Sequence, residues 1–208
     1  FQNCAGTMTA SVGGMTMTGN LTSYTNTGGR AIGTWTGTAT SGGATLAIRQ
    51  ETRIDTLGSA VVVTTVLRNT SGVTAPNVYY MRSCDPDNAQ TWPGGGFSTV
   101  NRIVHQNEDA RHRVLVKSYD QAVTEPKSYL GLGTKDCRAK CFIYNSWWLG
   151  STVDLSTVWS GTYGPPGVGA QYTLGACFPV GCTPNDIAIG LVYNIGNIVA
   201  GDSAIISY

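Results

Sequence analysis

The 208-residue chain carries only 12% charged residues and a net charge of +1, against roughly a quarter charged in an ordinary soluble domain. That balance excludes a nucleic-acid partner held by charge, and no apolar run reaches the roughly 20 residues of a membrane-crossing helix; the nearest, Ile187 to Ala200, is broken by Asn194 and Asn197. A start at Phe1 and six cysteines, none in a Cys-x-x-Cys pair or at zinc-ligand spacing from a histidine, lead us to expect an extracellular chain freed of a signal peptide and stapled by disulfides.

The charges are unevenly spread. Residues 1–48 contain one, Arg30, and residues 141–208 contain no Lys or Arg. Uncharged surface on that scale suits burial against other subunits or cover by sugar. Two sequons, Asn20-Leu-Thr and Asn69-Thr-Ser, are candidate glycan acceptors.

No linker or internal repeat divides the chain, so we expect one domain over 1–208. Its Thr/Gly-rich head, 1–43, would form an extension packed on the domain or on a neighbouring subunit. The alternation of Thr34, Thr36, Thr38 and Thr40 places hydroxyls on one face of a strand. A flat, uncharged strand of small residues specifies its register weakly and invites pairing with another chain. A solvent-facing hairpin and an intermolecular strand are equally open here.

Clearer strands follow at Thr45–Ile54, Ala60–Leu67 and Asn77–Arg82, the last stopped by Asp85-Pro-Asp-Asn. Ser98–Val104, Arg113–Ser118, Arg138–Tyr144, Asp186–Tyr193 and Ser203–Tyr208 continue the pattern, with a hairpin-like turn at Gly201-Asp202 between the final two. No window sustains a capped helical period. Many short strands with turns between them predict an all-β, antiparallel β-sandwich.

In one extended strand Cys137 and Cys141 would stand roughly 13 Å apart, beyond the reach of a bridge of about 7 Å or less, so they pair only if the chain turns. Cys177 and Cys182 flank Phe-Pro-Val-Gly, which can turn, and form the favoured local bridge. Cys4 would then staple the head to the core through Cys84.

The runs Val62-Val-Thr-Thr-Val-Leu-Arg-Asn-Thr and Asn77-Val-Tyr-Tyr-Met-Arg-Ser-Cys-Asp-Pro-Asp-Asn, with the closing strands around Ala200-Gly-Asp-Ser, resemble β-sandwich domains of large secreted microbial surface proteins. The resemblance covers about half the chain. It implies an adhesive or architectural role, and it brings no catalytic set.

Three constellations are candidates for chemistry. On a helix, His105, Asp109 and His112 would share one face and suit iron or zinc; between strands they form a polar hairpin loop, the reading we favour. Asp85, Asp87 and Asn88 offer oxygens that suit Ca²⁺, or that bond their own turn, or that pair with Arg82. Trp147, Trp148 and Trp159, with Tyr163 and Tyr172 near Asn145 and Gln171, form a sugar-stacking platform, a subunit interface or a satellite core. For hydrolysis the sequence holds no Gly-x-Ser-x-Gly or His-Glu-x-x-His, and a carboxylate pair such as Glu51 with Glu125 has no support. The expected function is therefore a non-enzymatic extracellular structural protein. It would self-assemble with copies of itself into a filament, coat or adhesive layer, without cofactor other than a Ca²⁺. The alternative is a secreted carbohydrate-binding module that takes glycans.

Overall fold

Alternation of Thr with small or apolar residues gives the N-terminal part of the chain its strands, because β-branched side chains suit a pleated surface. In a computed structural model the chain is nearly all antiparallel β. The structure describes residues 8–12, 15–55, 57–87, 96–119, 129–144, 154–163, 172, 175, 177–178 and 185–208.

The elements run β1 (Met8–Val12), β2 (Met15–Thr27), β3 (Arg30–Ser41), β4 (Ala44–Asp55), β5 (Val61–Asn69), β6 (Ala75–Cys84) and β7 (Val100–Gln106). They continue with β8 (Val114–Tyr119), β9 (Tyr129–Thr134), β10 (Ala139–Tyr144), α1 (Leu155–Ser160), β11 (Cys177–Phe178), β12 (Ala188–Ile198) and β13 (Ser203–Ser207). Where one domain was expected, the chain divides into two compact units, residues 1–78 with 195–208, and residues 79–194.

The first unit is built on a six-stranded sheet in the order β1-β2-β3-β4-β5-β13. Two-residue turns, Gly28-Gly29 and Gly42-Gly43, have positive φ at all four glycines, the geometry that matches the right-handed twist of a tight hairpin. β3 pairs with β4 along its whole length, from Arg30↔Asp55 to Ser41↔Ala44. The described part of the head forms the outer half of this sheet.

Directly opposite residues in an antiparallel ladder share a face. One face carries the buried Ala39, Leu46, Val63, Leu67 and Ile206, and the other carries the exposed Thr18, Asn20, Thr38, Thr40 and Arg49. The Trp35 indole lies across Gly19 and Gly37, which are opposite each other; a Cβ there would come within 2.1 Å and 2.3 Å of the ring. Close approach of a large ring to the sheet requires glycine at both places.

The second unit holds a three-stranded sheet, β10-β12-β6, and a four-stranded sheet, β11-β7-β8-β9. β10 packs on β7 and β8, so the two sheets share a sandwich-like core containing Phe142, Ile143, Ile189, Leu191, Val100 and Val116, all 0% exposed. In β9 a Cβ at Gly133 would come 3.1 Å from Leu115 Cδ1 and 3.2 Å from the Val114 carbonyl, closer than side chains ordinarily pack. α1 is a helix that the sequence reading did not anticipate. The Asp154 carboxylate accepts from Ser156 N at its start, and Gly161 N–H donates to the Thr157 and Val158 carbonyls at its end.

The expected hairpin at the C-terminus takes another form. β12 lies between β10 and β6, whereas β13 pairs with β5. The turn closed by Asp202 N–H donating to the Val199 carbonyl passes the chain from one sheet to another.

Candidate functional site

The acidic turn after β6 is the first place where side chains converge. Pro86 is buried and holds Asp85 in an extended conformation. Residues two apart in such a segment point the same way, so Asp85 and Asp87 aim together. Asp186 joins them from the start of β12, where Thr99 and Asn185 exchange backbone hydrogen bonds of 2.9 and 3.1 Å. Carboxylate oxygens of Asp85, Asp87 and Asp186 all lie within 4.8 Å of one another.

Among the described residues no cation pairs with them, and Arg82 forms no ion pair with the three, contrary to one expectation for it. One oxygen each of Asp87 and Asp186 is buried without a hydrogen-bond partner. Desolvation, then the Asp87 and Asp186 charges, raises the Asp85 carboxyl above its ordinary range. Desolvation and Asp186 raise that of Asp87. A set of oxygen donors at this spacing matches the geometry of Ca²⁺, whose bonds are roughly 2.3–2.6 Å. Asn88, the third residue of the expected set, lies outside the described residues. Asp186 was not anticipated, because about a hundred residues separate it from Asp85 and no local motif marks it.

The histidine segment is a hairpin loop between β7 and β8. His105 Nδ1 meets Glu108 Oε1 at 2.9 Å, and His112 Nδ1 meets Asn107 Oδ1 at 2.9 Å. Asp109 is bonded to Arg113 at 2.5 Å. Each member of the set that a helix would have aligned has its own partner, so the iron or zinc reading falls. Glu51 is paired with Arg49 at 3.0 Å, and Glu125 lies outside the described residues.

Of the aromatic candidates, Trp147 and Trp148 also lie outside the described residues, as do Asn145 and Gln171. Trp159 packs with Tyr163 and Tyr172 against Phe142, Val158 and Val192. Its Nε1–H donates to the Arg138 carbonyl at 3.0 Å, and the Lys140 ammonium sits 4.0 Å from its ring centroid. Trp159 therefore belongs to a satellite core. Desolvation pushes the Tyr172 hydroxyl up to about 12.

Three of the cysteines expected in disulfides, Cys84, Cys137 and Cys141, are free thiols. Cys141 is fully buried under β7, and desolvation pushes its thiol up to about 12. Cys4, Cys182 and the side chain of Cys177 lie outside the described residues.

The two sequons differ. Asn20 is exposed on β2. Asn69 is 0% exposed; its Nδ2 donates to the Val73 and Ile198 carbonyls at 2.7 and 2.8 Å, and its Oδ1 accepts from Ser71. Both protons of the nitrogen that a glycan would use are committed, so Asn69 is a structural pin in this fold.

The second convergence is the β2–β3 hairpin. Thr18, Asn20, Thr36 and Thr38 surround Gly19 and Gly37 in a shallow depression of the polar face, and Thr18 Oγ1 lies 3.4 Å from Thr38 Oγ1. β1 pairs with β2 only from Met15 to Gly19. Among the described residues, positions 20–27 of β2 are laddered to β3 alone. No family model, curated protein or solved structure matches the chain.

Proposed function

We propose that this chain is a non-enzymatic extracellular structural protein whose copies join through β-strand and aromatic contacts into a filament, coat or adhesive layer. The observation that carries the reading is a sheet whose outer half is almost free of charge and in which, among the described residues, positions 20–27 of β2 are laddered on one side only. An unpaired row of backbone donors and acceptors is a template for another strand, and main-chain pairing of that kind gives affinity without a deep pocket. The sparse charge of both chain ends supports the same reading, since such surfaces favour association.

A lectin role is the weaker reading. Trp159 is held by Arg138, Lys140 and the satellite core, which leaves the sugar platform to Trp147 and Trp148. An extracellular address agrees with a Cys177–Cys182 bridge and with a glycan on Asn20. Peptide mapping of unreduced, secreted material tests both.

Sedimentation velocity and electron microscopy of the purified chain test the assembly. Oligomers that grow with concentration are the expected result. A monodisperse 21.9 kDa species at about 100 μM, far above the Kd of an ordinary interface, would overturn it.

A further inference from the structure

We propose that Cys141 and Gln106 join in an internal thioester, in which Cys141 Sγ is bonded to Gln106 Cδ and the side-chain nitrogen of Gln106 has left as ammonia. The bond lies within the second unit and is independent of the assembly proposed above.

The strands bring the two groups together. β7 shifts register against β8 between Ile103 and His105, so that Ile103 stands opposite Val116 and Gln106 opposite Val114. Ile103, Val114 and Val116 are buried, and directly opposite residues share a face. The shift thus turns the Gln106 side chain, in place of that of His105, onto the core face. Re-aiming a side chain is what such irregularities do beside functional sites. There Gln106 meets Cys141 in the middle of β10. Gln106 Oε1 accepts the Cys141 backbone N–H at 2.8 Å, and Nε2 donates to the Cys141 and Tyr172 carbonyls at 2.7 and 2.6 Å. Cys141 Sγ lies 3.2 Å from the same Oε1 and 3.4 Å from the His105 carbonyl oxygen.

Satisfying the backbone of β10 accounts for the bonds between the carboxamide and Cys141 N–H and C=O. It does not account for a thiol at the same carbonyl. Sγ touches a carboxamide that three hydrogen bonds hold in place, the positioning that lets an intramolecular acyl transfer outrun its bimolecular equivalent. The Cys141 N–H aimed at Oε1 stabilises the negative charge this oxygen takes as sulfur adds to Cδ. The S–Cδ bond forms, the Cδ–Nε2 bond breaks, and the thiol proton leaves with the nitrogen as ammonia. No oxidant or further reactant enters. Thiol, carboxamide, thioester and ammonia are all neutral, which suits a site where Cys141 is 0% exposed and burial pushes ionisation of its thiol up to about 12. The same dryness keeps water from the finished bond. The product ties β7 to β10 and remains an acyl donor. A primary amine that reaches Gln106 Cδ takes the acyl group as an amide and restores the Cys141 thiol.

Mass spectrometry of the full chain, reduced with a phosphine and denatured in acid, tests this. The native chain is expected to be lighter by one ammonia than its sequence requires, and proteolysis to yield one cross-linked peptide containing Gln106 and Cys141. Cys141→Ala is expected to show its full mass and no such peptide. Methylamine, added as the native chain is unfolded in urea, is expected to place a methylamide at residue 106 and to free one further thiol, at residue 141, for alkylation by iodoacetamide. Position 106 found as a glutamate in the native chain, and not in Cys141→Ala, is the hydrolysed thioester and supports the bond equally. If the native chain carries an intact carboxamide at residue 106 and a thiol at residue 141 that alkylates fully on unfolding, the two groups do not react and the inference falls.

Discussion

The two units are stabilised in different ways. Among the described residues, eleven of the twelve largest fully buried side chains, from Tyr193 and Phe142 to Val158, fill a core in the second; the first contributes Ile206 to that set. The first unit relies instead on long ladders, glycine turns and local polar pins such as Asn69. A core of that kind specifies one packing and resists change in volume. A sheet that lies half open tolerates change on its polar face and leaves backbone available to a partner. The division teaches where stability resides: in a filled core in the second unit, and in ladders and turns in the first.

The largest expected effect tests the filled unit. Phe142 is fully buried against Gly190, where a Cβ would come 2.3 Å from its ring. Phe142→Ala should cost about 3–5 kcal/mol in urea unfolding, and a loss below about 1 kcal/mol would mean that this core is loosely packed. Next comes the pin of the open unit. Asn69→Ala leaves the Val73 and Ile198 carbonyls without their donor and should cost about 2–3 kcal/mol. Mass spectrometry of the chain from a glycosylating host should find Asn69 bare and Asn20 modified.

Gly37→Ala is a milder probe of the sheet, since its Cβ would meet the Thr18 carbonyl and Trp35. A cost of about 1–2 kcal/mol is expected, whereas Thr38→Ala, on the exposed face, should change stability by less than about 0.5 kcal/mol. Equal effects would erase the distinction between the two faces.

The smallest effect concerns the acidic turn. The Asp87 carboxyl holds its proton more tightly folded than unfolded, because burial and Asp186 disfavour its charge. Stability from this group is therefore fullest below its unfolded value and falls as pH rises through the folded one. Asp87→Asn should stabilise the chain at pH 7 by less than about 1 kcal/mol and not at pH 3, in paired thermal melts. Millimolar Ca²⁺ should stabilise the native chain and leave the variant unchanged.

Much of the strand content is legible in the sequence, because period-two patterning and turn residues act locally. Thr45 to Ile54 and Arg138 to Tyr144 read as strands and are strands. Partner choice is not local. That β13 pairs with β5 rather than with β12 depends on which sheet has a free edge, and no residue in Ser203–Ser207 states it. β9 was missed because Gly131 and Gly133 disfavour a strand, and only the ladder with β8 sets them in one. Two of the three carboxylates were visible in Asp85-Pro-Asp87, whereas Asp186 arrives through the Thr99–Asn185 bridge. The sequon at Asn69 was legible as a motif and misleading as a site, since the motif carries no information on burial.

The pairing of β5 with β13 joins Thr64 to Ser207 across 143 positions of sequence. During synthesis the chain emerges N-terminus first, so β5 waits with one side of its ladder unmade until β13 has left the ribosome. Contacts of such long sequence separation form late and slowly. A nascent first unit therefore spends its early life with a Val/Thr-rich strand, Val61-Val-Val-Thr-Thr-Val, uncovered. Docking of β13 on β5 is the step that ends that exposure.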